Sequence, residues 1–231
     1  MEYKRRSEAH CAKLETLPPL NETADEKKTR LLDEAAEECH LEALLRKTDT
    51  LQSLETQLEA YRLESWGKSR AMMRQEFECE KLSPAGKNLG QNLLANIEPR
   101  PSEKYDAHHI IPGAGTHSSM GRLRAKLFSN GIKINDPLNG IWLAHLKIDR
   151  GHHLSPESHI HPDTYGWNYQ QWLSTRLRNL KDRPPNRAIP PWIKSNYSPF
   201  IKELASIKQR LNDGKCPVEI MEPKDDTWRG N

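Results

Sequence analysis

Histidine is concentrated in one part of this 231-residue chain. Eight of the ten histidines lie between positions 108 and 161: His108, His109, His117, His145, His152, His153, His159 and His161. Imidazole binds divalent metals and titrates near neutral pH, whereas an exposed surface has no need for so many. The cluster therefore predicts metal ligation or proton transfer in this segment.

His108 and His109 are adjacent in a short β-rich segment that Pro112 and Gly113 close. Side chains of neighbouring residues in an extended segment point to opposite faces. One imidazole can then face a metal ion while the other faces a water molecule. Hydrolysis of a phosphodiester needs both functions, a cation to neutralise growing negative charge and a base for the attacking water.

Two later segments can complete such a site. Asn139 comes before the apolar strand Gly140-Ile141-Trp142-Leu143, where its amide can bond backbone groups and hold the base-bearing loop. His159 and His161 come just before a predicted helix, and both can reach one ion if the backbone there is extended.

Three sequence blocks, in order, carry a specific resemblance. They are Tyr-Asp-Ala-His-His-Ile-Ile-Pro (105–112), Asp-Pro-Leu-Asn-Gly-Ile-Trp-Leu (136–143) and Ser-His-Ile-His-Pro-Asp-Thr-Tyr (158–165). Together they resemble the AHH family of the HNH/endonuclease VII-like ββα-metal nucleases over roughly residues 85–180. The resemblance implies a DNA-cleaving enzyme of the HNH type with one divalent metal ion, whether Mg, Mn, Zn or Ni.

The resemblance also implies roles for individual residues. His108 is expected to bind the metal, His109 to be the general base, and Asn139 to orient the loop of the base. His161 fits a late metal ligand and His159 a second one. The position four residues before each of these is not histidine, so His153 is the alternate and the third ligand stays open.

Other polar residues have two readings each. His117 and His145 are expected at the surface or beside the ligands, and His152 is expected not to bind metal. A basic trio before Asn139 either binds phosphate or forms a solvated helix face: Arg122, Arg124 and Lys126. The aromatic residues of the late helix are expected in the core rather than stacking on bases: Trp167, Tyr169 and Trp172.

The predicted fold class is α+β and mostly helical, a small ββα-metal nuclease core with an N-terminal helical hairpin. Residues 1–80 are expected to form the hairpin, opened by a Thr23–Glu26 capping box and turned at 47–50. Docking, oligomerisation, contact with an inhibitor, and packing on the core are all open roles for it. Residues 83–182 form the predicted nuclease core, with short strands at 132–134 and 139–144. Residues 183–231 form a Pro-rich segment and a last helix, about 199–211, that packs on the core.

Charge and cysteine content narrow the possible partners. Residues 1–80 carry a net charge of −5, and residues 81–231 carry +8, which suits a polyanion such as DNA. The four cysteines are Cys11, Cys39, Cys79 and Cys216; without a CxxC pair they indicate isolated thiols in a reducing compartment. No apolar run is long enough to insert into a membrane, and no secretory signal is visible at the start.

The expected biology is that of an antibacterial toxin or effector. It would be made in a bacterial cytoplasm, delivered by a secretion system without a cleaved signal, and active in the cytoplasm of a target cell. An acidic immunity protein and a secretion chaperone or delivery component would be its partners. The alternatives are a phage or defence endonuclease, an RNase, and a non-catalytic zinc-stabilised DNA-binding or scaffold module.

Overall fold

The computed structural model describes residues 23–65, 85–152, 158–160, 166–181 and 197–230, together with positions 68, 72, 75, 190, 192 and 193. The helices are α1 (Ala24–Ser65), α2 (Ala85–Ala95), α3 (Met120–Ser129), α4 (Trp167–Leu177) and α5 (Pro199–Asp213). The strands are β1 (Tyr105–His109) and β2 (Gly140–Ala144). The expected fold class, α+β and mostly helical with room for a ββα core, is confirmed.

Helix α1 begins at the predicted capping box but does not turn where a turn was expected. Thr23 and Glu26 exchange hydrogen bonds of 2.8 and 3.3 Å between their side chains and backbone N–H groups. Farther along, the hydroxyls of Thr48 and Thr50 donate to the carbonyls of Leu44 and Arg46, one turn earlier, at 2.9 and 2.7 Å. These hydroxyls therefore bond back within a continuous helix, and the predicted turn at 47–50 is wrong.

The chain forms two compact units, residues 1–53 and residues 54–231. The described part of the first unit is the helical stretch 23–53. The domain boundaries expected at residues 80–83 and 182–183 fall outside the described residues and stay predictions.

In the second unit, β1 and β2 pair antiparallel with His109 opposite Gly140 and Tyr105 opposite Ala144. The strand expected at 132–134 is absent from the described sheet, because β2 pairs with β1, about 30 residues earlier, instead of with its near neighbour. A 3₁₀ turn (Pro137–Asn139) leads directly into β2, and the Asp136 side chain accepts from the Leu138 N–H at its start.

The two faces of this small sheet are covered differently. Ile141 and Leu143 face the main core, to which α3, α4 and α5 contribute. Trp142 and Ala144 face Leu89 and Leu93 of α2. Tyr169 and Trp172 of α4 are buried in the main core, as predicted, whereas Trp167 is only half-buried.

Residues 215–230 contact α4 through several hydrogen bonds. The buried amide of Asn168 donates to the carbonyls of Glu219 and Pro223 at 2.8 and 3.0 Å and accepts from the N–H of Asp225 at 3.0 Å. Thr175 donates to the carbonyl of Arg229 at 2.7 Å. None of the described helices is both long and apolar enough to span a membrane.

Candidate active site

His108 lies on the β1 face that is covered by α4. It pairs with Ile141, and its side chain is only 3% exposed. The ring of Tyr169 meets the His108 ring edge-on at 6.4 Å, and the Tyr169 hydroxyl donates to the carbonyl of Ile110 at 2.9 Å. An aromatic residue of α4 thus borders the imidazole that was predicted to bind the metal.

His159 lies beside the end of β2. Its N–H donates to the carbonyl of Leu211 at 2.9 Å, and the next residue, Ile160, forms a parallel bridge with Ala144. Since Ile160 shares the α2 face with Ala144, alternation places His159 on the opposite face, the one that carries His108. His159 is 4% exposed. Two buried imidazoles therefore share one face of the sheet.

The remaining predicted ligands, His161 and His153, lie outside the described residues, as does the side chain of His152. Within the part of the chain that the structure describes, no three His, Cys, Asp or Glu side chains are close enough together to hold a metal ion. Imidazole is a suitable donor for ions such as Zn²⁺ or Ni²⁺, and the binding of such an ion by His108 and His159 stays a prediction. The identity of the third donor stays a prediction.

His109, the predicted base, points to the other face of β1 and contacts Asn135. Its Nε2 lies 2.9 Å from the side-chain oxygen of Asn135. Burial lowers the pKa of His109 below its usual value, and the hydrogen bond to Asn135 partly offsets this. The neutral ring is therefore the favoured form, and only a neutral ring can accept a proton.

Asn139 is fully buried and bonds to the chain segment that follows His109. Its amide oxygen accepts from the N–H of Ile111 at 2.8 Å, and its amide nitrogen donates to the carbonyls of Ile111 and Ile134 at 3.1 and 2.9 Å. Its own carbonyl accepts from the N–H of Ile110 at 2.8 Å. One side chain thus links the residues after His109 to the residue before Asn135.

Asn135 was not singled out by the sequence. It is 1% exposed and lies between the two segments that were predicted to be strands, 132–134 and 139–144. An asparagine next to Asp-Pro is common in ordinary turns, so only its spatial proximity to His109 indicates its role.

The three basic residues predicted to bind phosphate have different surroundings. Arg122 is exposed on α3. Arg124 donates to the carbonyl of Pro112 at 3.3 Å. The Lys126 ammonium bonds to the carbonyl of Leu180 beyond the end of α4 and lies 5.9 Å from the centre of the Phe200 ring. Phosphate binding stays a prediction, and of the three, Arg122 is placed best for it.

Two further histidines of the cluster interact with local partners. His145 is 64% exposed and bonds to Asp106 at 2.9 Å. His117 bonds to the Ser119 hydroxyl at 2.6 Å and packs edge-on against the Trp167 ring at 4.9 Å. Neither belongs to a group of three possible metal ligands among the described residues.

The two cysteines in the described part of the chain, Cys39 and Cys216, are free thiols. Cys39 is exposed, whereas burial raises the pKa of the Cys216 thiol to about 12. Cys216 is therefore protonated and unreactive at neutral pH. Cys11 and Cys79 lie outside the described residues.

Comparison with known proteins gives one match. Residues 89–189 match the sequence model of AHH, described as a nuclease family of the HNH/ENDO VII superfamily with conserved AHH. No match was found among curated proteins or among solved structures. The matched segment contains both strands as well as His108, His109, Asn135 and Asn139, so the resemblance of this chain to the AHH nucleases is confirmed over residues 89–189.

Proposed function

We propose that this protein is a metal-dependent endonuclease that hydrolyses the phosphodiester bonds of DNA. One observation carries the proposal. Within the segment that matches a nuclease family, neighbouring positions of one strand hold two histidines. His108 is buried on the sheet face that we assign to His159 as well, and the neutral form of His109 is favoured.

His109 takes the proton of the attacking water. Its Nε2 faces Asn135, which leaves Nδ1 to act as the base. Because burial lowers the pKa of His109, the ring is unprotonated at neutral pH and has a free lone pair for the proton of the water. The carbonyl of Asn139 accepts from the N–H of Ile110 and its side-chain oxygen accepts from the N–H of Ile111, and these two bonds hold the strand end that carries this ring.

His108 and His159, with His161 or His153, would hold one divalent cation. When bound, the cation supplies positive charge that stabilises the pentavalent transition state and the departing 3′-oxygen. Burial of both imidazoles restricts their rotamers, which lowers the entropy lost on binding the ion.

The choice of DNA as substrate rests on charge. The net charge of +8 on residues 81–231 attracts a polyanion through release of counterions. RNA carries the same backbone charge and is the second candidate substrate, so cleavage assays need both nucleic acids.

The biological role that we propose is that of an antibacterial toxin or effector. It would be carried by a delivery component or a secretion chaperone, would act in the cytoplasm of a target cell, and would be inhibited by an acidic immunity protein covering the basic surface. A phage or defence endonuclease would cut at specific sequences, whereas a toxin would degrade DNA without such preference. A zinc-stabilised scaffold would hold zinc and cut nothing.

The test compares wild type with His109→Ala and His40→Ala on supercoiled plasmid and on RNA, with Mg²⁺, Mn²⁺, Zn²⁺ or Ni²⁺. His40 is exposed on α1 and serves as a matched control. We expect nicking of the plasmid by wild type and His40→Ala, its loss with EDTA, and a loss of about 10²- to 10⁴-fold in rate for His109→Ala. Cleavage by His109→Ala at the normal rate would refute the assignment of the base. Zinc at full occupancy without cleavage under any condition would favour the scaffold.

The toxin role has its own test, in a bacterial cytoplasm. Expression of wild type, but not of His109→Ala, is expected to abolish nucleoid staining. Intact chromosomal DNA alongside active purified enzyme would argue against the toxin role while leaving the enzyme in place.

A further inference from the structure

We propose that Asn135 is the positioning residue for the base His109, and that the last turns of α1 hold Asn135 in place for this task. The inference rests on the proposed function, because it assumes that His109 is the base. It concerns a residue that lies 26 positions from His109 in the sequence.

The backbone of Asn135 is bonded on both sides, which leaves its side chain for His109. Its N–H donates to the Tyr61 hydroxyl at 3.1 Å, and its carbonyl accepts from the side-chain amide of Asn92 at 2.8 Å. The side-chain oxygen then lies 2.9 Å from Nε2 of His109. With the residue 1% exposed, water has little access to replace either partner.

This contact selects one tautomer of the ring. An oxygen facing Nε2 can only accept, so Nε2 carries the proton and the lone pair is on Nδ1. Without the acceptor, the ring could rotate or take the other tautomer, and a base with its proton on the wrong nitrogen cannot accept another.

Helix α1 contacts the residues on both sides of Asn135. Arg62 donates to both carboxylate oxygens of Asp136, at 2.8 and 3.1 Å. Lys133 forms an ion pair with Glu64 at 2.9 Å, and its ammonium lies 4.0 Å from the centre of the Tyr61 ring. Tyr61, Arg62 and Glu64, which lie within one helical turn, therefore fix the segment 133–136. Among the contacts described for this segment, the one with His109 is made by the side chain of Asn135.

The experiment uses the full chain and three substitutions of Asn135. Asn135→Asp keeps an acceptor at the same position, Asn135→Leu removes it at similar volume, and Asn135→Ala removes it with space to spare. All three keep the backbone bonds to Tyr61 and Asn92. The kcat and KM for plasmid cleavage, the melting temperature, and the ¹⁵N shifts of the His109 ring in metal-free protein are measured for each.

We expect Asn135→Leu and Asn135→Ala to lower kcat by about 10- to 100-fold with KM nearly unchanged, and Asn135→Asp to restore most of the loss. In a His109→Ala background, the same substitutions should have no further effect on kcat. Tyr61→Phe keeps the ring beside Lys133 and removes the hydroxyl that accepts from the Asn135 N–H, so we expect a smaller fall in kcat.

The inference would be overturned by wild-type kcat in both Asn135→Leu and Asn135→Ala, or by a loss that Asn135→Asp does not restore. The ¹⁵N shifts separate this inference from the proposed function. If wild type cuts nothing, the function fails, yet a ring protonated on Nε2 in wild type and mixed in Asn135→Ala still supports the positioning contact. A ring protonated on Nδ1 in wild type sinks the positioning contact whatever the activity.

Discussion

At the scale of the residue, Ile97 shows the cost of ending a helix without glycine. After α2, the N–H groups of Ile97 and Glu98 donate back to Leu94 and Leu93 at 3.1 and 3.0 Å, which is the Schellman arrangement. Ile97 is at the position where this arrangement needs a left-handed backbone, and its φ is 60°. A β-branched residue is strained in this conformation. Because Ile97 is 81% exposed, the burial of its side chain contributes little free energy to offset that strain.

Ile97→Gly should therefore raise the free energy of unfolding by about 1 kcal/mol, measured by urea denaturation. The left-handed backbone costs a residue with a Cβ roughly 1–2 kcal/mol, which exceeds the extra entropy that glycine gives the unfolded chain. Ile97→Ala is the control, because it removes the exposed apolar surface but keeps the Cβ. A Gly variant no more stable than the Ala variant would contradict the account.

At the scale of the element, the packing of α2 on β2 depends on a glycine. Gly140 lies opposite His109, and its φ of −122° is one that any residue adopts. Space rather than conformation selects glycine here, since a Cβ would lie 2.7 Å from Cδ1 of the buried Leu89 and 3.3 Å from Cδ2 of Leu93. The close approach of α2 to β2 therefore fixes the position of Gly140, which pairs with His109 at the end of β1.

Gly140→Ala should lower stability by about 1–3 kcal/mol, because the buried side chain of Leu89, or the backbone that carries it, must shift. Gly121→Ala is the matched control. A Cβ at Gly121, on α3, would meet its nearest atom at 4.0 Å, so helix propensity should make this change neutral or stabilising by less than about 1 kcal/mol. The melting temperatures of both variants are measured by thermal unfolding. Equal melting temperatures for Gly140→Ala and Gly121→Ala would mean that the α2–β2 contact accommodates a Cβ without a loss of stability.

At the scale of the whole molecule, the boundary between the two units falls inside α1. Residues 54–65 belong to the unit that holds the candidate site, and Leu58, Tyr61, Arg62 and Glu64 supply its contacts. The ion pair of Arg62 with Asp136 is buried, with side chains 11% and 2% exposed. A buried carboxylate that loses its guanidinium partner is strongly destabilising.

A chain that starts at Leu54 should therefore keep both the fold of residues 54–231 and its cleavage activity. A chain that starts at residue 66 should lose at least about 3–5 kcal/mol of stability, because Asp136 stays buried without Arg62. Circular dichroism during heating and plasmid cleavage measure the two properties. Equal stability of the two shortened chains would show that the last turns of α1 are dispensable.

The sequence by itself determined the features that depend on neighbouring residues. The Thr23–Glu26 capping box, the start of α5 at Pro199 and the opposite orientations of His108 and His109 follow from contacts within four residues and from the alternation of an extended strand. The sequence also determined the resemblance to the AHH nucleases. That resemblance depends on the residue types and the order of the blocks around His108, Asn139 and His159, which can be read without a structure.

Only the tertiary structure decided which distant segments meet. The pairing of β1 with β2, the contact of Asn135 with His109 and the clamp from α1 join positions that are 26 to 74 residues apart. Local propensity carries no information about such pairs, because they are selected by burial and by the satisfaction of buried polar groups in the complete fold. The same cause places Lys126 against carbonyls near the end of α4.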